Sequence, residues 1–350
     1  MGWLPWREAW QQALYGANGF YRCGAGPAGH FATALQAAPE MGSVLASALV
    51  TWLGSAGLTG LVDVGAGRGE LLRRVHALMP AARCVGVEVV DRPALPDAIE
   101  WVRSPGGAAL PDELSGLSGV LVLAHEWLDV VPCRVCQVDR WGAMREVEVR
   151  DDGRERLGGE LPDADLAWCR RHWPDAEPGD RVEVGTARDD AFAALTSRTV
   201  DGVVVAVDYG HLRAGRPGAG TLTGYRHGRA VPPTPDGTCD LTAHVAVDSL
   251  PADMLLDQRQ ALRRLGVATT VPGPALAAAD PQAYLRRLAR VSAGTALMAP
   301  AGFGGFWWAL RHVGSAARLG GPGAAYRPSH AGTVAQCTDN LPKELPVCRS

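Results

Sequence analysis

Short apolar runs of strand length alternate with stretches of helical periodicity along most of the chain, with Gly, Asp and Pro at the junctions. The first clear junction is LVDVGAGRGE, from Leu61 to Glu70. There an apolar run leads through Asp63 into Gly65, Gly67 and Gly69, and the helix-like LLRRVHALM follows. This predicts a strand, a glycine turn and a helix. RCVGVEVV predicts a second strand ending near Glu88, IEWVRSP a third, and SGVLVLAHEWLDVVP a strongly apolar fourth that ends in a charged turn. From Cys133 to about Glu160 the pattern becomes a two-residue alternation with Asp151-Asp152-Gly153 between its arms, which predicts a hairpin inserted into the core. RDDAFAALTSRT and DGVVVAVDYGH then predict a helix and a buried strand. CDLTAHVAVDSL predicts a strand, MLLDQRQALRRLGV and PQAYLRRLARV helices, and GFGGFWWALRH a last strand. Upstream, residues 3–20 form a Trp-rich helical lead-in, and about Glu40 to Leu53 a helix with a core-facing stripe. Strands alternating with helices define an α/β protein.

The same pattern divides the chain. Residues 1–55 make an N-terminal helical and loop segment near the substrate mouth. Residues 56–212 make the core, with the hairpin insertion at about 133–185, and residues 213–312 a C-terminal part of the catalytic domain. Within that part, residues 213–240 are rich in Gly, Pro, Thr and Arg and too long for an ordinary connection, which suggests a functional loop or lid. Residues 313–350 lack periodicity and are expected to be a mobile tail.

Composition removes several function classes. A net charge of −3 gives no reason to expect a nucleic-acid partner. Lysine occurs once, at Lys343, so Arg carries the positive charge. Eight cysteines without regular spacing do not make a disulfide framework. Cys133 and Cys136 form a C-x-x-C, but on a strand their side chains face opposite ways, and no second pair stands at zinc-ribbon distance, so no metal site is expected. No apolar run approaches the ~18 residues of a membrane span, and no secretory or organellar presequence is evident, so a cytoplasmic protein is expected.

The candidate chemistry begins at the glycines. Glycine lets a backbone turn tightly and approach a ligand closely, and the helix that follows offers unpaired N–H groups, which suits a nucleotide or nucleoside. A dinucleotide fingerprint would need Gly at position 70, where this chain has Glu70. The actual pattern, D-x-G-x-G-x-G from Asp63 to Gly69, resembles the first motif of class I S-adenosylmethionine (SAM) methyltransferases. Glu88, about 20 residues on, stands where such a fold needs an acceptor for ribose hydroxyls. Ligands of open α/β sheets bind beyond the carboxyl ends of the strands, so His125, Glu126 and Asp129 should face the same crevice as Gly67. In a helical turn Glu126 and Asp129 would share a face, where two carboxylates orient a cation or a nucleophilic N–H. The plainer alternative for Asp129 is a loop acid that caps the next helix or pairs with an Arg.

Taken together, GHFATALQAAPEMG, LVDVGAGRGEL, GVEVVDRPAL, AHEWLDVVPCRVCQ, VAVDYG, LTGYRHG and PDGTCDLTAHVAV resemble the MidA family of SAM-dependent methyltransferases, in family order over roughly residues 20–310. Its mitochondrial relative is a complex I assembly factor that symmetrically dimethylates a protein arginine. The resemblance implies a Rossmann-like class I core with added substrate-side elements, SAM as cofactor, and a protein arginine as acceptor. Asp63, Gly65, Gly67, Gly69 and Glu88 would bind SAM, and Glu126, Asp129 and His125 would serve the acceptor. The chain departs from the family where His125 replaces Asn, His30 replaces Asp and Asp63 replaces Glu. The His30 and His125 changes leave open a small-molecule acceptor, and a non-catalytic, SAM-binding assembly factor is the third reading.

Overall fold

The computed structural model describes residues 2–23, 39–300 and 302–315. His30, most of the loop around it, and the expected tail from residue 316 onward lie outside the described residues. In chain order, β1 (Leu4–Pro5) and α1 (Trp6–Tyr15) precede α2 (Pro39–Ser55), β2 (Gly60–Val64), α3 (Glu70–Leu78), β3 (Arg83–Glu88), β4 (Ile99–Arg103) and β5 (Leu117–His125). Then come β6 (Val135–Val138), β7 (Met144–Val149), β8 (Glu155–Glu160), α4 (Asp163–His172), β9 (Arg181–Glu183), α5 (Thr186–Arg198) and β10 (Thr199–His211). The chain continues through β11 (Thr223–Arg226), β12 (Arg229–Val231), β13 (Asp240–Thr242), β14 (Val245–Ala246), β15 (Met254–Asp257), α6 (Gln258–Arg264), α7 (Pro274–Ala279), α8 (Pro281–Leu297) and β16 (Phe306–Val313).

A central sheet in the order β15-β16-β10-β5-β2-β3-β4 organises the protein. Strands β2, β3, β4, β5 and β10 run parallel, and β16 is antiparallel to both its neighbours. The apolar runs are continuous because both faces are covered. Leu121 and Leu123 of β5 face the side packed by Leu49 and Trp52 of α2, Leu72 of α3 and Leu297 of α8. The alternate Val122 and Ala124 pack with Phe192 and Leu195 of α5. All five parallel strands therefore deliver their carboxyl ends to one edge, where a ligand can sit.

The expected hairpin exists as β7 and β8 around Asp151-Asp152-Gly153, but it belongs to a larger antiparallel sheet. Strands β6 and β9 extend it from the free edge of β7, and β1 pairs with the last residues of β7, Glu148 and Val149. The lead-in helix α1 is locked down: Trp6 and Trp10 are fully buried, and their indole N–H groups donate to Glu155 Oε1 (2.5 Å) and to the Leu241 carbonyl (3.0 Å). The stretch 213–240 contains strand structure where its composition suggests a long connection. Strands β11 and β12 form a short hairpin, and β11 also pairs with β13. CDLTAHVAVDSL gives two short strands, β13 and β14. MLLD gives β15 before α6, because Asp257 caps that helix by accepting from Gln260 N (2.7 Å). Among the described residues no helix is long and apolar enough to cross a membrane.

Candidate active site

At the end of β2 the backbone N–H of Gly65 donates to the Val87 carbonyl (2.9 Å), which ties the glycine turn to β3. Gly65, Gly67 and Gly69 all have positive φ (78°, 58° and 72°), a region that glycine enters without steric cost. Their surroundings differ. A Cβ on Gly69 would stand 2.9 Å from the Leu95 side chain, so this residue serves the packing of α3. Among the described residues a Cβ on Gly67 would meet only Glu70 Oε2, at 3.6 Å, because Gly67 faces an open cleft. Across the mouth of the turn, Glu88 accepts from Gly67 N (2.9 Å) and Val89 N (2.6 Å). Burial raises the Glu88 carboxyl above its usual range, and these two bonds partly reverse the effect. Asp63 lies behind the turn, 3% exposed. Burial pushes its carboxyl up to about 7, with His125 opposing the shift and Glu88 and Glu70 adding to it.

The second wall grows from β5. His125 ends the strand with its ring edge against Phe306 (5.4 Å between centroids) and Nδ1 3.3 Å from Glu126 Oε1. Glu126 has φ 54°, an uncommon conformation for a residue with a Cβ, and its N–H donates to the Val207 carbonyl (2.9 Å). The expected helical turn is absent: no helix covers residues 126–131. A kinked turn brings the two acids into one cleft instead, and Asp208 anchors it. Asp208 Oδ2 accepts from Leu128 N (2.8 Å) and Asp129 N (3.2 Å), and Oδ1 from Tyr209 N (3.0 Å). Asp129 does not cap a helix through its side chain. Its Oδ2 accepts from the Thr242 hydroxyl (2.8 Å), while its Oδ1 is buried without a hydrogen-bond partner. Burial, with Glu126 nearby, pushes the Asp129 carboxyl up to about 6.

One cleft thus collects Gly65, Gly67, Glu88, His125, Glu126 and Asp129, with Asp63 and Gly69 behind its wall. Its described lining also includes Glu70 and Asp240 and contains no Lys or Arg, which favours a cation over an anion. Among the described residues no group of three or more His, Cys, Asp or Glu is arranged to hold a metal ion.

Residues 81–268, more than half the chain, match the family described as putative S-adenosyl-L-methionine-dependent methyltransferases. The chain belongs to this family. A candidate methyl transferase from Burkholderia thailandensis, whose structure holds S-adenosyl-homocysteine, is similar over 88% of this chain and 87% of its own, at 23% identity and a TM-score of 0.68. A native structure of an uncharacterised protein from the same organism is similar over 89% and 87%, again at 23% identity and a TM-score of 0.68. At that identity the two likenesses establish the fold. No curated protein matches the chain.

For a member of this methyltransferase family, the cleft is suited to SAM. A glycine turn with open space beside Gly67 and a carboxylate at Glu88 across its mouth suit a nucleoside with ribose hydroxyls. Sequence reasoning missed part of the methyltransferase's lining, because it comes from distant segments. The Tyr21 hydroxyl donates to Asp240 (3.0 Å to Oδ1 and 3.2 Å to Oδ2), and the Tyr21 ring stacks on Tyr15 (5.4 Å, 9°). Tyr15 in turn donates to the Val130 carbonyl (3.2 Å). Asp240 is buried, and burial raises its carboxyl well above the usual range. VAVDYG and PDGTCDLTAHV drew attention to the segments carrying Asp208 and Asp240, but no periodicity pointed to Tyr15 or Tyr21.

The Tyr15 wall yields a stability prediction. Gly106 has φ 98°, and a Cβ there would stand 2.4 Å from Tyr15 Cδ1. Gly106→Ala is expected to destabilise the protein by about 1–3 kcal/mol through overpacking and backbone strain. Chemical denaturation checks this; an unchanged midpoint would mean that Tyr15 moves aside freely.

Proposed function

We propose that this protein is a Rossmann-like class I methyltransferase that transfers a methyl group from SAM to a cationic nitrogen acceptor, a protein arginine guanidinium. The observation that carries the acceptor reading is the unpartnered, buried Asp129 Oδ1 in a cleft with several carboxylates and no described Lys or Arg in its lining. A buried acceptor atom without a donor is costly, and a ligand N–H relieves that cost. The class I reading is supported by the strand order, in which antiparallel β16 lies between β10 and β15. It is supported further by the glycine turn at the carboxyl end of the central strand β2.

SAM supplies an electrophilic methyl group on a positively charged sulfur. Gly65 and Gly67 line its cradle, and Glu88 accepts from its ribose hydroxyls. Glu126 and Asp129 accept guanidinium N–H bonds, hold the attacking nitrogen in line and concentrate its lone pair. With SAM bound, its sulfonium would release the methyl group to the attacking nitrogen and keep the S–C electron pair, and one of the two carboxylates would take the proton that this nitrogen loses. His125, beside Glu126, orients that carboxylate. Charged carboxylates are needed, so kcat/KM should fall as pH drops through about 6, the value to which the Asp129 carboxyl is raised.

Two measurements test the proposal. SAM at a hundredfold excess over its dissociation constant should stabilise the protein by about 2.7 kcal/mol, read as a thermal shift. With labelled methyl donor and arginine-containing proteins, label should be recovered as methylarginine. SAM binding with label only in extractable small molecules would overturn the arginine acceptor, and folded protein without a thermal shift would overturn SAM use.

A further inference from the structure

Arg188 occupies an expensive position. It is the third residue of α5, is 1% exposed, and places a cation in the first turn of a helix, where the helix dipole disfavours it. Among the described residues no carboxylate hydrogen-bonds its guanidinium. Its donors instead reach three backbone carbonyls: Nη2 to Asp129 (2.8 Å), Nη1 to His244 (2.8 Å) and Nε to Val131 (3.3 Å). The Asp129 carbonyl also accepts from Ala243 N (3.1 Å), and the guanidinium lies 5.7 Å from the centroid of Trp10. One fork therefore joins the turn after β5 to the segment after β13. The bond between Asp129 and Thr242, the last residue of β13, ties the same two stretches together.

We propose that Arg188 is a positioning residue for the acceptor wall, fixing Asp129 against the Thr242–His244 segment and supplying that wall's buried counter-cation. The inference rests on the arginine-acceptor reading above. A dry, paired ion bridge would neutralise the acids that must meet the substrate. A guanidinium whose three bonds all go to backbone carbonyls leaves those carboxylates available while its charge still favours their ionised forms. The groups acting on Asp129 come from every neighbouring element. They are Glu126 from its own turn, Asp208 and Tyr209 from β10, Asp240 from β13, Tyr15 and Tyr21 from the N-terminal wall, Tyr225 from β11, and Arg188 from α5. Arg188 also faces Asp189 on α5, His244, and Cys133 with Glu183 behind it. Of the groups acting on Asp129 and Asp208, Arg188 favours charge on both, and every neighbouring acid opposes it.

The experiment compares Arg188→Lys, which keeps the charge but loses the fork, with Arg188→Gln, which loses the charge. The acid limb of kcat/KM against pH should stay in place in Arg188→Lys and move up by about one pH unit in Arg188→Gln. In both variants kcat should fall at least tenfold at saturating SAM. A wild-type limb in Arg188→Gln overturns the proposal. If the glutamine variant does not fold, the lysine variant decides alone, because a limb displaced by a unit despite the retained charge also overturns it. A readout without turnover separates this failure from failure of the acceptor reading. A buried acid whose folded pKa is raised loses stability as pH rises toward that pKa. The stability deficit of Arg188→Gln relative to Arg188→Lys should therefore grow from pH 5 to pH 8, even if the wild type transfers methyl to no arginine. A constant deficit would mean that Arg188 only holds the backbone.

Discussion

Gly67→Val is expected to abolish SAM binding while leaving the protein folded. The backbone at Gly67 has φ 58°, which a β-branched residue adopts only under strain, so the substitution costs on the order of 1–2 kcal/mol in the fold. The larger effect falls on the ligand. Among the described residues a Cβ there would approach only Glu70 Oε2, at an ordinary contact distance of 3.6 Å, so the side chain projects into the cleft beside the N–H that donates to Glu88. SAM affinity should fall at least about 100-fold, equivalent to about 2.7 kcal/mol, and the thermal shift given by SAM should vanish. Gly69→Ala is the contrast, because its Cβ would press on Leu95 inside the fold. It should lower stability and leave affinity nearly unchanged in whatever fraction is folded. Calorimetric titration of both variants separates a ligand-facing glycine from a packing glycine; retained SAM affinity in folded Gly67→Val would remove the glycine turn from the SAM site.

What could be read from the sequence was local. Strand β2, the glycine turn and α3 are contiguous, and their apolar pattern, glycine spacing and helix signal agree with one another, so the junction was legible without tertiary information. Glu88 was legible for the same reason, since a parallel neighbour strand sets its distance along the chain. The turn from His125 to Asp129 was only half legible. Its position followed from the carboxyl end of an apolar strand, but its shape depends on Asp208, about 80 residues away, and on the positive φ of Glu126. Helical spacing between Glu126 and Asp129 was therefore the wrong geometric reason for two acids that nonetheless share a cleft. The Tyr15, Tyr21 and Asp240 wall joins segments more than 200 residues apart and leaves no periodic trace. Strands β11 to β13 hid for another reason. They are three or four residues long and mostly polar, so only pairing with one another distinguishes them from a loop.

The acceptor carboxylates give the second large expected effect. Glu126→Gln keeps the side-chain shape, and Gln tolerates φ 54° about as well as Glu, so the turn anchored by Asp208 should survive along with SAM binding. The charge that faces a guanidinium is lost, and turnover at saturating SAM should fall by roughly two to four orders of magnitude. Asp129→Asn differs, because Oδ2 is committed to Thr242 and only Oδ1 lacks a partner. The amide must either offer its NH2 group to the cleft, where the acceptor also brings donors, or turn it to Thr242, whose hydroxyl then accepts; either way the charge facing the acceptor is lost, so KM for the acceptor should rise together with a fall in kcat. The pH profile separates the two acids. With the Asp129 carboxyl raised to about 6, the wild-type enzyme gains the charged form as pH increases through that value, and kcat/KM rises with it. Asp129→Asn should flatten that limb, whereas Glu126→Gln, which removes a negative neighbour, should move it to lower pH. Wild-type turnover in Glu126→Gln, with an unmoved acid limb, would return Glu126 to a purely structural part in the turn and leave Asp129 as the acceptor's only carboxylate on that turn.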